Sequence, residues 1–167
     1  MSGLEVIAAT DADRATVANL IQLYLYDMTD EGAWPIGEDG RYGYDFLERF
    51  WRYPYLLRVD GELAGFALVI DECPLTGDKP CWFMAEFFVM RGYRRRGVGR
   101  QAVGELLSRH PGRWHIGVMR SHERAETFWS GTLGAQAELS SRVLMFDGDG
   151  WRLRSFVADA GSPDTRR

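Results

Sequence analysis

With 167 residues, 46% of them hydrophobic and 26% charged, the chain is long enough for one domain with its own core and short for two. A net charge of −4 argues against nucleic acid as a general partner, and the three histidines lack zinc-type spacing to either cysteine, so no metal is expected. No run of about 18 apolar residues suits a membrane span and no secretory signal opens the chain, which predicts a cytoplasmic protein without a membrane partner.

In chain order, Glu5 to Ala9 reads as a strand, and Thr10-Asp11-Ala12-Asp13 offers capping oxygens to a helix running to about Tyr26. Val17, Leu20, Ile21, Tyr24 and Leu25 recur at three-to-four spacing, which turns one apolar face inward. Met28 to Tyr44 breaks that period with four glycines and a proline, the kind of long loop that often binds, and Tyr44 to Trp51 resembles a short second helix. Tyr55 to Val59 and Glu62 to Ile70 form a hairpin through Asp60-Gly61, a pair suited to positive φ. Cys73 and Cys81 flank a turn-rich linker and are expected to stay reduced. Cys81 to Met90 is an apolar run fit for a buried central strand.

Gly99 to Arg109 reads as a helix ended by Pro111-Gly112, Arg113 to Met119 as a strand and Glu123 to Ser130 as a short helix. Ser141 to Phe146 and Trp151 to Val157 close the chain as a hairpin around Asp147-Gly148-Asp149-Gly150, with a frayed tail from Gly161. The order predicts an α/β domain over residues 1–160 with a mixed sheet.

Between the strand ending at Met90 and the helix beginning near Gly99 lies Arg94-Arg95-Arg96-Gly97-Val98-Gly99-Arg100, in a stretch with five arginines from Arg91 to Arg100. Backbone N–H groups at a helix N-terminus have no intrahelical partner, and the macrodipole favours negative charge there. Glycines let the backbone approach an anion, and arginines neutralise it. Gly97-Val98-Gly99-Arg100-Gln101-Ala102 also fits a dinucleotide fingerprint, but it lies past mid-chain, no further βαβ units follow, and no acidic residue stands at 117 to 121.

Arg94-x-x-Gly97-x-Gly99 resembles the cofactor motif of the GNAT superfamily of acyl-CoA N-acyltransferases. Glu86-Phe87-Phe88-Val89 looks like that family's fourth strand, Tyr93 fills the aromatic position before the loop, and Ala125-x-x-Phe128-Trp129 followed by Gly134 resembles its late helix and turn. The likeness runs from about residue 4 to 157 and implies a three-layer fold, a mixed, mostly antiparallel sheet of about six to seven strands flanked by about four helices.

The same resemblance implies an N-acetyltransferase moving an acetyl group from acetyl-CoA to a primary amine of a small molecule or peptide, by direct attack in a ternary complex. An acyl-CoA-binding module with little turnover is the alternative. It implies that the backbone of Phe87, Phe88 and Val89 holds the pantetheine, and that the backbone of Arg95, Arg96, Gly97, Val98, Gly99 and Arg100, after Arg94, holds the pyrophosphate. Glu86 interrupts an apolar strand and is the candidate general base. His122 stands where many members have an asparagine, and Trp129 where many have the tyrosine that protonates the thiolate. An indole cannot serve as that acid, so both residues are assigned to holding the cofactor, and the proton is left to water or to a tyrosine such as Tyr24 or Tyr26. The acceptor site is expected around Tyr24, Tyr26, Asp27, Trp34 and Tyr44, with Asp30 and Glu31 nearby, because carboxylates beside rings suit a cationic amine. The protein is expected as a monomer or homodimer.

Overall fold

A computed structural model describes residues 3–160, so the expected frayed tail lies outside the described residues. Seven strands form one sheet in the order β1-β2-β3-β4-β5-β7-β6: β1 Leu4–Ala8, β2 Tyr53–Val59, β3 Glu62–Ile70, β4 Trp82–Val89, β5 Gly112–Met119, β6 Ala137–Phe146 and β7 Asp149–Ala158. All neighbours run antiparallel except β4 and β5. A parallel pair needs a crossover, supplied here by helix α3, Val98–Arg109. The other helices are α1 Arg14–Met28, α2 Leu47–Phe50 and α4 Glu123–Leu133.

Alternation along the strands sends side chains to two cores. One holds Leu57, Ala67, Val69, Met84 and Trp114 under Val98, Ala102, Val103, Leu106 and Leu107 of α3 and Trp129 and Leu133 of α4. The other holds Leu56, Phe66, Leu68, Ile70 and Phe88 under Val17, Leu20, Ile21 and Leu25 of α1 and Phe50 of α2. The result is helices, sheet, helices, as the sequence predicts.

Several boundaries differ from the sequence reading. Both hairpin turns place Asp and Gly at positive φ, Asp60 and Gly61 at 51° and 84°, and Asp147 and Gly148 at 49° and 82°. Two residues suffice to reverse the chain, so Asp149 and Gly150 join β7. The second helix is a single turn. The stretch before it is partly ordered: an isolated Ile36–Tyr42 bridge closes a tight turn, and the Gln22 amide of α1 bonds both backbone groups of Tyr42, at 2.9 and 2.7 Å.

The parallel pair shapes the site. β4 and β5 pair only at Trp82–Trp114 and Phe83–His115, so from Met84 onward that edge of β4 has no strand beside it. On the other side of β4, Leu68 pairs with Glu86 and Val69 with Met84, leaving Ala85 as an extra residue in a β-bulge. The bulge shifts the alternation, so Glu86 shares a face with Leu68, toward α1. β3 and β4 also approach closely at Gly65, where an added Cβ would lie 1.9 Å from the Phe88 carbonyl oxygen. Gly65→Ala should therefore cost about 3 kcal/mol, at the upper end of overpacking effects, measured as a lower urea midpoint. An unchanged midpoint would show that β3 and β4 are not so tightly apposed.

Candidate active site

Glu86 is the one carboxylate on β4, half-buried on the α1 face of the sheet. The Tyr44 hydroxyl donates to its Oε1 at 3.0 Å, and the phenol of Tyr24 of α1 lies close enough to influence its charge. Burial pushes the Glu86 carboxyl up to about 7, against the two phenols, which favour the ionised form. Burial and the neighbouring carboxylate raise both phenols, Tyr24 well above its ordinary value. Tyr24 meets Phe66 edge-on at 5.8 Å and Phe88 at 5.5 Å, and Tyr44 meets Phe46 at 5.8 Å. The surroundings of Glu86 are thus aromatic and phenolic. Between α1 and the ordered loop, a cleft of about 170 Å³ is walled by Ile21, Tyr42, Tyr44 and Leu47.

The arginine and glycine loop follows β4 through a short 3-10 turn, Arg91–Tyr93. Arg95 and Gly97 take positive φ, 61° and 76°, and Gly97 caps α3 with no side-chain hydrogen bond at the helix start. The N–H groups of the first turn therefore lack the side-chain acceptor that often covers them. Arg95, Arg96 and Arg100 are exposed, and among the described residues none pairs with a carboxylate; Arg96 lies over the Tyr93 ring and Arg100 donates to the Gly131 carbonyl. Uncapped N–H groups beside exposed guanidinium groups suit a diphosphate. Gly99 serves packing as well: a Cβ there would come 2.9 Å from the Phe128 ring of α4.

Arg94 behaves differently from its neighbours. Its Nε donates to the Val89 carbonyl at 2.8 Å, and its Nη1 and Nη2 reach the Asp27 carboxylate at 3.3 and 2.7 Å. Arg91 bonds the same carboxylate at 2.8 Å. Asp27, expected to meet an acceptor amine, is thus already held. Burial alone would raise its pKa, but Arg94 and Arg91 outweigh that and hold it below the usual range. Glu31 is likewise occupied, accepting from the backbone N–H of Arg124 at 2.8 Å in the first turn of α4.

The remaining candidates fall in two groups. Tyr26 and Trp34 are 60% and 37% exposed, and neither is among the partners of Glu86. Trp129 is buried in the α3 and α4 core, 5.4 Å from the Phe87 ring and 4.9 Å from Phe128, and Phe87 stacks on Phe128 at 5.7 Å. Its ring supports the inner side of β4. His122 is half-buried at the start of α4, where burial lowers its pKa despite nearby Glu31 and Asp149. Sequence reading missed the Gln22 clamp and the bonds of Asp27 and Glu31, whose partners lie 20, 64, 67 and 93 residues away. Both cysteines are free and buried, and burial pushes the Cys81 thiol up to about 11. No described helix is long and apolar enough to cross a membrane.

Solved structures of similar shape cover nearly the whole chain. An acetyltransferase from Thermus thermophilus aligns with a TM-score of 0.64 at 14% identity, over 92% of this chain and 96% of its own. The protein yncA from Salmonella typhimurium, solved with its cofactor acetyl-CoA, aligns at 0.59 and 15% identity over 97% and 98%. RimL, a ribosomal L7/L12 alpha-N-protein acetyltransferase solved with coenzyme A, aligns at 0.61 and 12% identity over 95% and 96%. At such identities the likeness speaks to the fold. No curated protein matches the chain in sequence. The model of the Acetyltransferase (GNAT) family matches residues 19–134, more than half of the chain. The chain therefore belongs to the GNAT acetyltransferase family and is an acyl-CoA-dependent acetyltransferase.

Proposed function

We propose that this acetyltransferase acetylates a primary amine of a small molecule or peptide in a ternary complex, with Glu86 as the general base. The observation that carries the reading is the placement of Glu86, which the bulge at Ala85 turns toward α1 and which a hydrogen bond from Tyr44 holds beside the open edge of β4, with Tyr24 nearby. Acetyl-CoA, when bound, supplies the activated thioester. Backbone groups of Phe87, Phe88 and Val89 are suited to hold its pantetheine arm as an added strand and to polarise a carbonyl. The first turn of α3 with Arg95, Arg96 and Arg100 is suited to its pyrophosphate.

An alkylammonium near pKa 10 must lose a proton before its nitrogen can attack. A carboxyl titrating at about 7 is well matched to accept it at neutral pH. The nitrogen bonds the acetyl carbon as the carbon–sulfur bond breaks, its proton passes to Glu86, and the sulfur takes a proton from Tyr24 or water. Tyr24 stands nearer that part than Tyr26 because it lies beside Glu86 whereas Tyr26 is exposed, although its raised phenol makes water the easier proton source, and Trp129 takes no part in proton transfer. With Asp27 and Glu31 engaged by arginines, Tyr24 and Tyr44 form the near wall for the acceptor, and Tyr26 and Trp34 the outer rim.

The test is thiol release from acetyl-CoA with an amine panel across pH. The wild-type rate should rise through a midpoint near 7, and Glu86→Gln should lose about a hundredfold in kcat together with that midpoint. An unchanged rate and profile would remove Glu86 from the mechanism.

The same carboxyl affects stability. Its folded pKa is raised, so its stabilising contribution is complete below the unfolded value of about 4.3 and is lost as pH rises through about 7. At pH 8 Glu86→Gln should therefore melt higher than the wild type, with a smaller difference at pH 5. Equal melting temperatures at pH 8 would mean that the carboxyl is not held in a costly site.

A further inference from the structure

Asp27 lies in the last turn of α1 and has no part in the chemistry proposed above, yet it is the most heavily engaged carboxylate near the site. Its side chain is 13% exposed and accepts from Arg91 at 2.8 Å and from Arg94 at 2.7 and 3.3 Å, while its backbone carbonyl accepts from Arg124 at 3.0 Å. Asp30 lies 3.5 Å from Arg124, and Glu31 bonds the Arg124 backbone N–H at 2.8 Å. Arg91 and Arg94 belong to the loop before α3, and Arg124 to the start of α4. The end of α1 thus joins both segments that border the open edge of β4.

We infer that Asp27 is a positioning residue for the acyl donor: by fixing Arg94, and through it the Val89 carbonyl, it sets the loop in the shape that offers the α3 N-terminus and its free arginines to the pyrophosphate. Arg94 uses Nε on Val89 and both Nη atoms on Asp27, so its fork is spent on the protein. A bidentate guanidinium and carboxylate pair fixes orientation as well as distance, which a Lys point charge would not. The same carboxylate anchors α1, which carries Tyr24, so the donor loop and the Glu86 site share one fixed point.

This inference rests on the donor-site reading above, and simple charge predicts the opposite sign. Removing a negative charge beside five arginines should tighten binding of an anionic ligand if only the summed field matters. If Asp27 positions the loop, Asp27→Asn should weaken it. Calorimetric titration with coenzyme A should show an affinity about tenfold lower for Asp27→Asn. The double variant with Arg94→Met should be no weaker than Arg94→Met alone, and Asp27→Glu should recover most of the affinity. Binding by Asp27→Asn equal to or tighter than wild type, additive losses, or no recovery in Asp27→Glu would overturn the inference while leaving the donor site standing. No binding by the wild type would overturn both. Should Asp27→Asn not fold, Arg94→Lys carries the same test, with weaker binding expected and wild-type affinity overturning it.

Discussion

The extra residue at Ala85 decides on which face of the sheet Glu86 stands. A strand alternates its side chains, so without the bulge Glu86 would face α3 and α4, among Met84, Val98 and Leu106. A carboxylate there would be buried among aliphatic groups. With the bulge it faces α1, where Tyr44 gives it a hydrogen bond, Tyr24 lies beside it and it remains partly open. On the other side of the strand, pairing with β5 ends after Phe83, so a free backbone edge lies beside the carboxylate. One irregular strand thereby supplies both the carboxyl that the proposed mechanism uses and a free backbone edge.

The charges around this strand divide by function. Asp27, Asp30 and Glu31 meet Arg91, Arg94 and Arg124, and they hold the end of α1 against the arginine and glycine loop and α4. Arg95, Arg96 and Arg100 remain without a carboxylate, beside the uncapped start of α3. A sequence reading sees arginines here and acids there and assigns each to a ligand. Folding pairs all three of these acids with Arg91, Arg94 and Arg124 and, among the described residues, leaves Arg95, Arg96 and Arg100 without a carboxylate. Exposed ion pairs contribute little individually, but Asp27 is largely buried and shared by the fork of Arg94 and the Nε of Arg91, so it acts through geometry.

Much of this was legible in the chain. The Asp60-Gly61 turn, the apolar period of α1 and the arginine and glycine loop between strand and helix each follow from local rules, and the structure has all three. The element order followed because each element carries its own period and punctuation. Three features were not legible. The bulge at Ala85 leaves no residue signal, since alanine fits a regular strand equally well. The Gln22 clamp on Tyr42 depends on which loop residue folds back onto α1. The fate of Asp27 depends on partners 64 and 67 residues away, so its carboxylate read as free. Trp129 was placed correctly in the late helix, but only packing reveals that its ring supports Phe87 from the core.

The central claim is that Glu86 is a carboxyl held near neutrality by its site, and it can be measured without any acceptor. Protein labelled with ¹³C at the glutamate carboxyl carbons, titrated by NMR and assigned by loss of one resonance in Glu86→Gln, reads that group directly. The account predicts a midpoint for Glu86 of about 7. A midpoint near the ordinary glutamate value of about 4.3 would contradict it, because the group would then be fully ionised in a solvated site and poorly matched to the proton it is asked to take.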